Sequence, residues 1–115
     1  MIPNKVNLTK AEIKELIKIL NNVNNDKIIL INRKEETGKN PYVFFLEVGI
    51  NVTDAYEIIK KLSLNDYQYS QLDGQNKFLY MHVFFKNING KTAYIKIGFK
   101  NDKTVVISFH EKKFD

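Results

Sequence analysis

The residues whose types and spacing could support chemistry lie near the C-terminus, in two segments with a period of two. Tyr94 and Lys96 lie on one face of a predicted strand, and Ser108 and His110 lie on one face of the next. The apolar residues that alternate with them are Ala93, Ile95, Ile97 and Phe99 on the first strand and Val105, Ile107 and Phe109 on the second. If those apolar sides share one core, the polar residues share the opposite surface. A phenol, an ammonium and an imidazole on one rigid surface suffice for proton transfer and for phosphate binding.

The positive charge of the chain is concentrated in the same half. The formal net charge is +5. Residues 1–59 hold eight Lys or Arg against eight Asp or Glu, whereas residues 60–115 hold ten lysines against five acidic residues. A positive field on the strand-rich half indicates a phosphate-bearing partner such as nucleic acid. The alternative is that these lysines only keep strands soluble and protect sheet edges.

Length and composition limit the class of protein. A chain of 115 residues, 43% of them hydrophobic, can bury one core, so we expect a single domain spanning residues 1–115. It has no apolar run near the ~20 residues that cross a bilayer, and its start is too short and polar for an export signal, so we expect a cytoplasmic protein. Cysteine is absent and there are two histidines, so we expect no disulfide, no metal site and no cofactor.

The N-terminal half reads as helices around one strand. Thr9 and Glu12 form a capping-box pattern that predicts a helix to about Asn22. Residues 27–33 are apolar on both faces, which predicts an internal strand. Residues 34–40 are polar and predict an exposed loop. Pro41 favours the start of a short helix over residues 42–47 that ends at Gly49, and Thr53 could cap a further helix through Leu62.

After Asp66 the pattern changes to a period of two. It predicts strands near residues 67–72, 78–88, 92–100 and 103–110. The Asn89-Gly90 and Asn101-Asp102 turns favour two successive antiparallel hairpins. The fold class is therefore α+β, with N-terminal helices packed on one face of a curved, mainly antiparallel sheet.

The order of these elements and several motifs resemble the MqsR-like toxins. The most specific motifs are Ala93-Tyr94-Ile95-Lys96-Ile97 and Val106-Ile107-Ser108-Phe109-His110-Glu111, and the similarity covers roughly residues 9–114. The resemblance implies a RelE/barnase-like microbial RNase fold and ribosome-independent cleavage of single-stranded mRNA. It also implies neutralisation by a cognate antitoxin, which we expect to carry a helix-turn-helix domain.

The resemblance assigns catalytic roles to two residues of this chain. Tyr94 stands where the family has a catalytic tyrosine, and His110 stands where some members have a lysine and others a histidine. Two positions depart from the family's pattern. Tyr69 takes the place of a lysine, and the family's glutamine has no clear counterpart in the region from Tyr80 to His82.

The residues themselves can be matched to the needs of metal-free RNA cleavage. The 2′-hydroxyl of the substrate attacks the neighbouring phosphate, which requires a base, an acid and cations. His110 can be the acid or the base, and we expect it exposed at a strand end. Tyr94 could orient the phosphate or donate a proton, and Lys96, Lys86 or Lys91 could hold the charge. The candidates for stacking an unpaired base are Tyr67, Tyr69, Tyr80 and Phe84.

Some of these residues have simpler explanations. We expect His82 to pack between strands, Phe44 and Phe45 to lie in the core, and Glu111 to point away from His110. The alternative for the whole chain is a non-catalytic RNA-binding or protein-interaction module that retains the fold.

Overall fold

The computed structural model describes residues 2–32 and 40–113. These residues form helices α1 (Lys10–Asn21), α2 (Pro41–Val48) and α3 (Val52–Lys60) and a six-stranded sheet. The strands are β1 (Lys5–Val6), β2 (Ile28–Leu30), β3 (Tyr67–Leu72), β4 (Tyr80–Ile88), β5 (Lys91–Lys100) and β6 (Lys103–Glu111). The predicted α+β class is confirmed. Arg33 of the predicted first strand and residues 34–39 of the predicted loop lie outside the described residues.

The first two helices form where their capping signals place them. In α1 the Thr9 hydroxyl accepts from the Glu12 backbone N–H at 3.1 Å, and the Glu12 carboxylate accepts from the Thr9 backbone N–H at 2.9 Å. The predicted capping box is thus confirmed. α2 begins at Pro41 and ends at Gly49, whose φ of 73° lies in the left-handed region that glycine adopts without strain. α2 buries Phe44 and Phe45, as predicted.

The predicted cap of α3 is wrong. Asn51, not Thr53, caps this helix: its side chain accepts from the Asp54 backbone N–H at 2.8 Å. Asp54 reciprocates by accepting from the Asn51 backbone N–H at 3.0 Å. Asn51 is the cap because the Asp54 carboxylate, three residues after it, completes a second capping box, whereas Thr53 is already helical. The helix therefore starts earlier than predicted and ends at Lys60.

The sheet has the strand order β1-β3-β4-β5-β6-β2. β2 runs parallel to β6 and the other neighbours are antiparallel. The two predicted hairpins, β4–β5 and β5–β6, are both present, and Asn89 and Asn101 take the positive φ values of 50° and 56° that these tight turns require. β1 has no sequence signal of its own, because two residues are too few to show a period.

The prediction that the first strand is internal is wrong. β2 lies at the edge of the described sheet and pairs only with β6 there. The apolar residues of this segment lie on different surfaces. Ile28 is buried in the core, while Ile29 and Ile31, the residue after β2, are 43% and 37% exposed. Ile31 lines a cleft on the other face of the sheet. Apolar residues on both faces of a strand therefore do not require a neighbouring strand along both of its edges.

The helices pack on one face of the sheet, here called the helix face, and the opposite side is called the open face. The hydrophobic core lies between the helices and the helix face and contains Leu16, Leu20, Phe44, Phe45, Ile59, Phe84, Ile95, Ile97, Val106 and Phe109. The Phe45 ring packs edge-on against Phe109 with centroids 5.0 Å apart. Within the described residues, no helix is long and apolar enough to cross a bilayer.

A register shift in β6 changes which residues face the core. Lys96 pairs with Ser108, but the next residue of β5, Ile97, pairs with Val106, so Ile107 is an extra residue in a β-bulge. Val106 consequently enters the core, and Val105 pairs with Gly98. The predicted alternation, with Val105 and Ile107 facing the core, is therefore wrong before the bulge. It holds after the bulge, where Ser108, Phe109 and His110 lie.

Candidate functional site

Four polar residues of β5 and β6 form a compact group on the open face, here called the quartet: Tyr94, Lys96, Ser108 and His110. Tyr94 pairs directly with His110 across the two strands, and Lys96 pairs with Ser108. The Tyr94 and His110 rings stack with centroids 5.2 Å apart and an interplanar angle of 14°. The Lys96 Nζ lies 5.8 Å from the centroid of the Tyr94 ring. The predicted placement of these residues on one surface is thus confirmed.

His110 differs in exposure from the sequence-based expectation. It is only 9% exposed, because Tyr94 covers one side of its ring and β6 continues past it. Its Nδ1 lies 3.0 Å from the backbone carbonyl oxygen of Glu111. Because a carbonyl oxygen can only accept, Nδ1 carries the proton of this hydrogen bond. In the neutral ring, Nε2 is then the unprotonated nitrogen, as a general base requires.

Aromatic side chains of β3 and β4 extend the open face beside the quartet. Phe85 pairs with Tyr94, and their ring centroids are 6.0 Å apart. The hydroxyl of Tyr69 lies 3.4 Å from that of Tyr94, a long contact for two hydroxyl groups. The Lys112 Nζ lies 5.3 Å from the Phe85 ring centroid. Tyr69, predicted for base stacking, therefore adjoins the quartet, and Phe85 and Lys112 are additions that the sequence reasoning missed.

The loop from Asp73 to Leu79 brings a further aromatic residue to the open face. Phe78 packs directly over Gly98, where a Cβ would come within 2.7 Å of the Phe78 ring. Position 98 therefore has to be glycine for this contact to exist. An isolated glycine inside a strand pattern is a known signal of close approach and could have revealed this contact from sequence. β4 accordingly begins at Tyr80, and residue 78, predicted as strand, belongs to the loop.

The two other lysines predicted to hold charge are not brought to the quartet. Lys86 pairs with the core residue Ala93, so it lies on the helix face, where its Nζ is 3.6 Å from the Asp66 carboxylate. Lys91 forms ion pairs with Glu47 at 3.2 Å and with Glu111 at 3.7 Å. These partners raise the pKa of Lys91, with the Glu47 hydrogen bond as the largest cause. Glu111 therefore points away from His110, as predicted.

Two predicted stacking residues lie on the helix face. Phe84 has no exposed surface and is in the core beneath the helices, so it cannot stack on an RNA base in this structure. The prediction failed because both Phe84 and Phe85 are aromatic, and only the register of β4 decides which one faces out. Tyr80 pairs with Leu72, and its ring packs against His82 with centroids 6.3 Å apart.

His82 is a buried structural residue, as predicted. It is 6% exposed, and its Nδ1 lies 2.6 Å from the Ser70 hydroxyl, which is in turn 2.6 Å from the Tyr67 hydroxyl. Burial lowers the pKa of His82 to about 4, so the ring is neutral at physiological pH. Tyr67, also considered for base stacking, is thus engaged in this chain of hydrogen bonds on the helix face.

No cluster of metal ligands is visible among the described residues. In residues 2–32 and 40–113, no three His, Cys, Asp or Glu side chains lie close enough together to hold a metal ion. The groups that the quartet offers for chemistry are an imidazole, a phenol, an ammonium and a hydroxyl. These groups can exchange protons and can bind an anion.

The structure is that of a small α+β protein with a group of polar side chains on the open face of a mainly antiparallel sheet. A family model described as motility quorum-sensing regulator, toxin of MqsA, matches residues 10–111. The chain therefore belongs to the MqsR toxin family and is a toxin of a toxin–antitoxin pair, with an antitoxin as its partner. No curated protein matches the chain.

Proposed function

We propose that this toxin is an endoribonuclease that cleaves single-stranded mRNA independently of the ribosome and without a metal ion. The observation that carries the proposal is the stacked pair of His110 and Tyr94 with Lys96 beside it, on one face of two paired strands. Its membership of a toxin family supports an activity that arrests growth. A sheet is a rigid support, which acid–base catalysis needs.

The first step uses His110 as the base. Nε2 takes the proton from the 2′-hydroxyl of the substrate, and the resulting 2′-oxygen attacks the adjacent phosphorus. The bond from phosphorus to the 5′-oxygen of the next nucleotide then breaks. The products are a 2′,3′-cyclic phosphate and a free 5′-hydroxyl, so the reaction consumes no water. The hydrogen bond from Nδ1 to the Glu111 carbonyl supports this role, because it directs the lone pair to Nε2.

The second requirement is a proton for the leaving 5′-oxygen and a cation for the phosphate. The Lys96 ammonium stabilises the negative charge that develops on the phosphate oxygens. The Tyr94 hydroxyl and the Lys96 ammonium are the candidate proton donors for the leaving oxygen. When His110 becomes positive, the face of the Tyr94 ring against it stabilises the charge by a cation–π contact.

We expect the substrate to be single-stranded, because the described surface offers aromatic rings for stacking and no element that would enter a duplex groove. Tyr69 and Phe85 lie beside the quartet and are both partly exposed. Unpaired bases stack on such rings, while paired bases are shielded within a duplex. Positive charge continues along the β5–β6 hairpin, where Lys100 and Lys103 oppose each other. Like charges in directly opposed positions reduce stability, so this pair is better explained by phosphate binding than by folding.

The proposal also defines the setting of the activity. The toxin acts in the cytoplasm, where mRNA is available, and its cognate antitoxin carries a helix-turn-helix domain. No cofactor takes part in the proposed steps. Lys86, Lys91 and Tyr80 are not needed by this mechanism, since they lie away from the quartet.

Induced expression with genome-wide mapping of RNA 5′ ends tests the function. Wild-type protein should arrest growth and produce new 5′ ends at one short sequence motif. His110→Ala should do neither, and Lys14→Gln, an exposed change on α1, should behave as wild type. Normal growth with intact RNA would exclude the nuclease. If the protein still bound RNA in that case, the non-catalytic RNA-binding module would be the better account.

A further inference from the structure

A cleft beside the quartet has no role in the steps above. The loop from Asp73 to Leu79 lies on the open face and borders an open cleft of about 470 Å³, within the usual size range of ligand pockets. Its lining includes Gln75, Phe78, Met81, Lys96 and Ile107. Lys96 is the residue that the cleft shares with the quartet. The cleft is therefore directly next to the position proposed for the scissile phosphate.

The loop that forms the cleft is held in one conformation. The Asp73 carboxylate accepts hydrogen bonds from the backbone N–H groups of Gln75 at 3.0 Å, Lys77 at 2.8 Å and Phe78 at 3.0 Å. These bonds lower the pKa of Asp73, with the bond from Gln75 as the largest cause. Phe78 is then seated on Gly98. The cleft is thus formed before any ligand arrives, which limits the cost of binding.

We propose that this cleft is a specificity site that takes one nucleobase of the RNA, and this inference depends on the proposed nuclease function. Phe78, Met81 and Ile107 offer aromatic and apolar contacts for the faces of a base. The Gln75 amide offers both a donor and an acceptor for a base edge. Unstacked bases of single-stranded RNA are read by this combination of a ring and a polar edge contact.

The position of Lys96 indicates which nucleotide of the RNA chain places its base in the cleft. Lys96 lines the cleft, and its Nζ is also 5.8 Å from the Tyr94 ring of the quartet. One side chain thus spans the distance between the cleft and the phosphate site. The base in the cleft therefore belongs to a nucleotide joined to the scissile phosphate, and the cleft selects the base at one position next to the cut.

The test measures the relative kcat/KM for RNAs that differ by one base at each position around the cut. Wild-type protein is compared with Phe78→Ala and Gln75→Ala. Each change should reduce the preference at one position next to the cut by about tenfold, as expected for losing one stacking or edge contact, and leave the other positions unchanged. Leu79→Ala is the matched control, because Leu79 is on the same loop and 73% exposed but does not line the cleft.

A second variant perturbs the cleft from the sheet. In Gly98→Ala the new Cβ would meet the Phe78 ring at 2.7 Å and displace it, so the same position should lose its preference. Thermal unfolding checks that each variant is folded. Gln75 is exposed, so Gln75→Ala should fold and tests the specificity site even if Phe78→Ala does not fold. An unchanged preference in the folded variants would overturn the specificity site and leave the nuclease standing, whereas a wild-type protein that cleaves no RNA would overturn both.

Discussion

The two histidines of the chain lie on opposite faces of the same sheet and differ in what their rings can do. His110 stacks on Tyr94 on the open face, its Nδ1 donates to a backbone carbonyl, and its Nε2 is the base of the proposed mechanism. His82 is enclosed on the helix face between the rings of Tyr80 and Phe99 and bonds to Ser70. At the scale of single residues, the face of the sheet separates the histidine proposed as a catalyst from the buried one.

Tyr94→Phe should lower the cleavage rate less than His110→Ala. The phenylalanine ring keeps the stacking contact with His110 and loses only the hydroxyl, which leaves Lys96 as the proton donor. The measurement is the single-turnover rate on one defined RNA, with Tyr69→Phe as a matched loss of a neighbouring hydroxyl. Equal losses in Tyr94→Phe and His110→Ala would instead assign proton transfer to the phenol.

Stability should fall as the pH is lowered through the range set by His82. Its pKa is near 6.5 when unfolded and about 4 when folded, so the unfolded chain binds the proton first. The stability contributed by the neutral ring is complete above pH 6.5 and is lost as the pH falls toward 4. Between pH 7.5 and 5 the loss should be about 2 kcal/mol. Urea unfolding of wild type and His82→Gln checks this prediction, and equal pH slopes in the two proteins would contradict it.

At the scale of elements, most features that depend on local signals were predicted from the sequence, with the α3 cap as the exception, and those that depend on register were missed. The capping box at Thr9, the helix end at Gly49 and the two tight turns are local, and all are present. The bulge at Ile107 is not local, because it arises from how β6 fits against β5. The edge position of β2 is also not local, because it depends on which strand β2 meets.

The candidate site shows the same division. Tyr94 and His110 could be placed on one surface because both alternate with apolar residues that face the core. Their direct pairing could not be predicted, because the turn register alone would pair Tyr94 with Phe109 and the bulge at Ile107 shifts the partner to His110. Phe84 was assigned to the wrong face because neighbouring aromatic residues give no period. Phe78 was missed because a loop residue has no pattern, although Gly98 marked the place where it lands.

The cap of α3 gives a direct test at this scale. Asn51→Ala removes the acceptor for the Asp54 backbone N–H and should lower the free energy of unfolding by about 1 kcal/mol. Thr53→Ala, two residues along the chain, should change it by less than about 0.5 kcal/mol, since surface substitutions away from caps cost little. Chemical denaturation of both variants is the measurement, and a larger loss from Thr53→Ala would contradict the cap assignment.

For the whole molecule, one face of the sheet carries the hydrophobic core and the other carries the proposed site. The helices cover one face and form the core, and the quartet, the aromatic residues beside it and the cleft occupy the other. The lysine-rich half of the chain supplies four of the six strands of the described sheet. Lys86 and Lys91 are paired with carboxylates on the helix face, so the charge available for the proposed RNA binding is the part on the open face.

This division predicts how charge changes affect RNA binding. Lys96→Gln should weaken binding and reduce the slope of log K against log salt by about one, because one phosphate contact is lost. Lys14→Gln with Lys18→Gln, two exposed positions on α1, should leave both quantities nearly unchanged. Fluorescence anisotropy with a labelled RNA over a range of salt concentrations measures this effect. Equal losses from the two faces would contradict the division.

The most direct test of the central claim is cleavage of one defined RNA by purified protein in EDTA. The wild-type protein should cut it and leave a 2′,3′-cyclic phosphate and a 5′-hydroxyl. His110→Ala should lose about 10²–10⁴ in rate, the usual contribution of one positioned acid or base. His110 is 9% exposed and stacked, so the fold of the His110→Ala protein must be checked by circular dichroism and thermal unfolding. His110→Gln is the less disruptive second variant. Undiminished cutting by folded His110 variants would remove this residue from the mechanism, and loss of wild-type cutting in EDTA would reject metal-free cleavage.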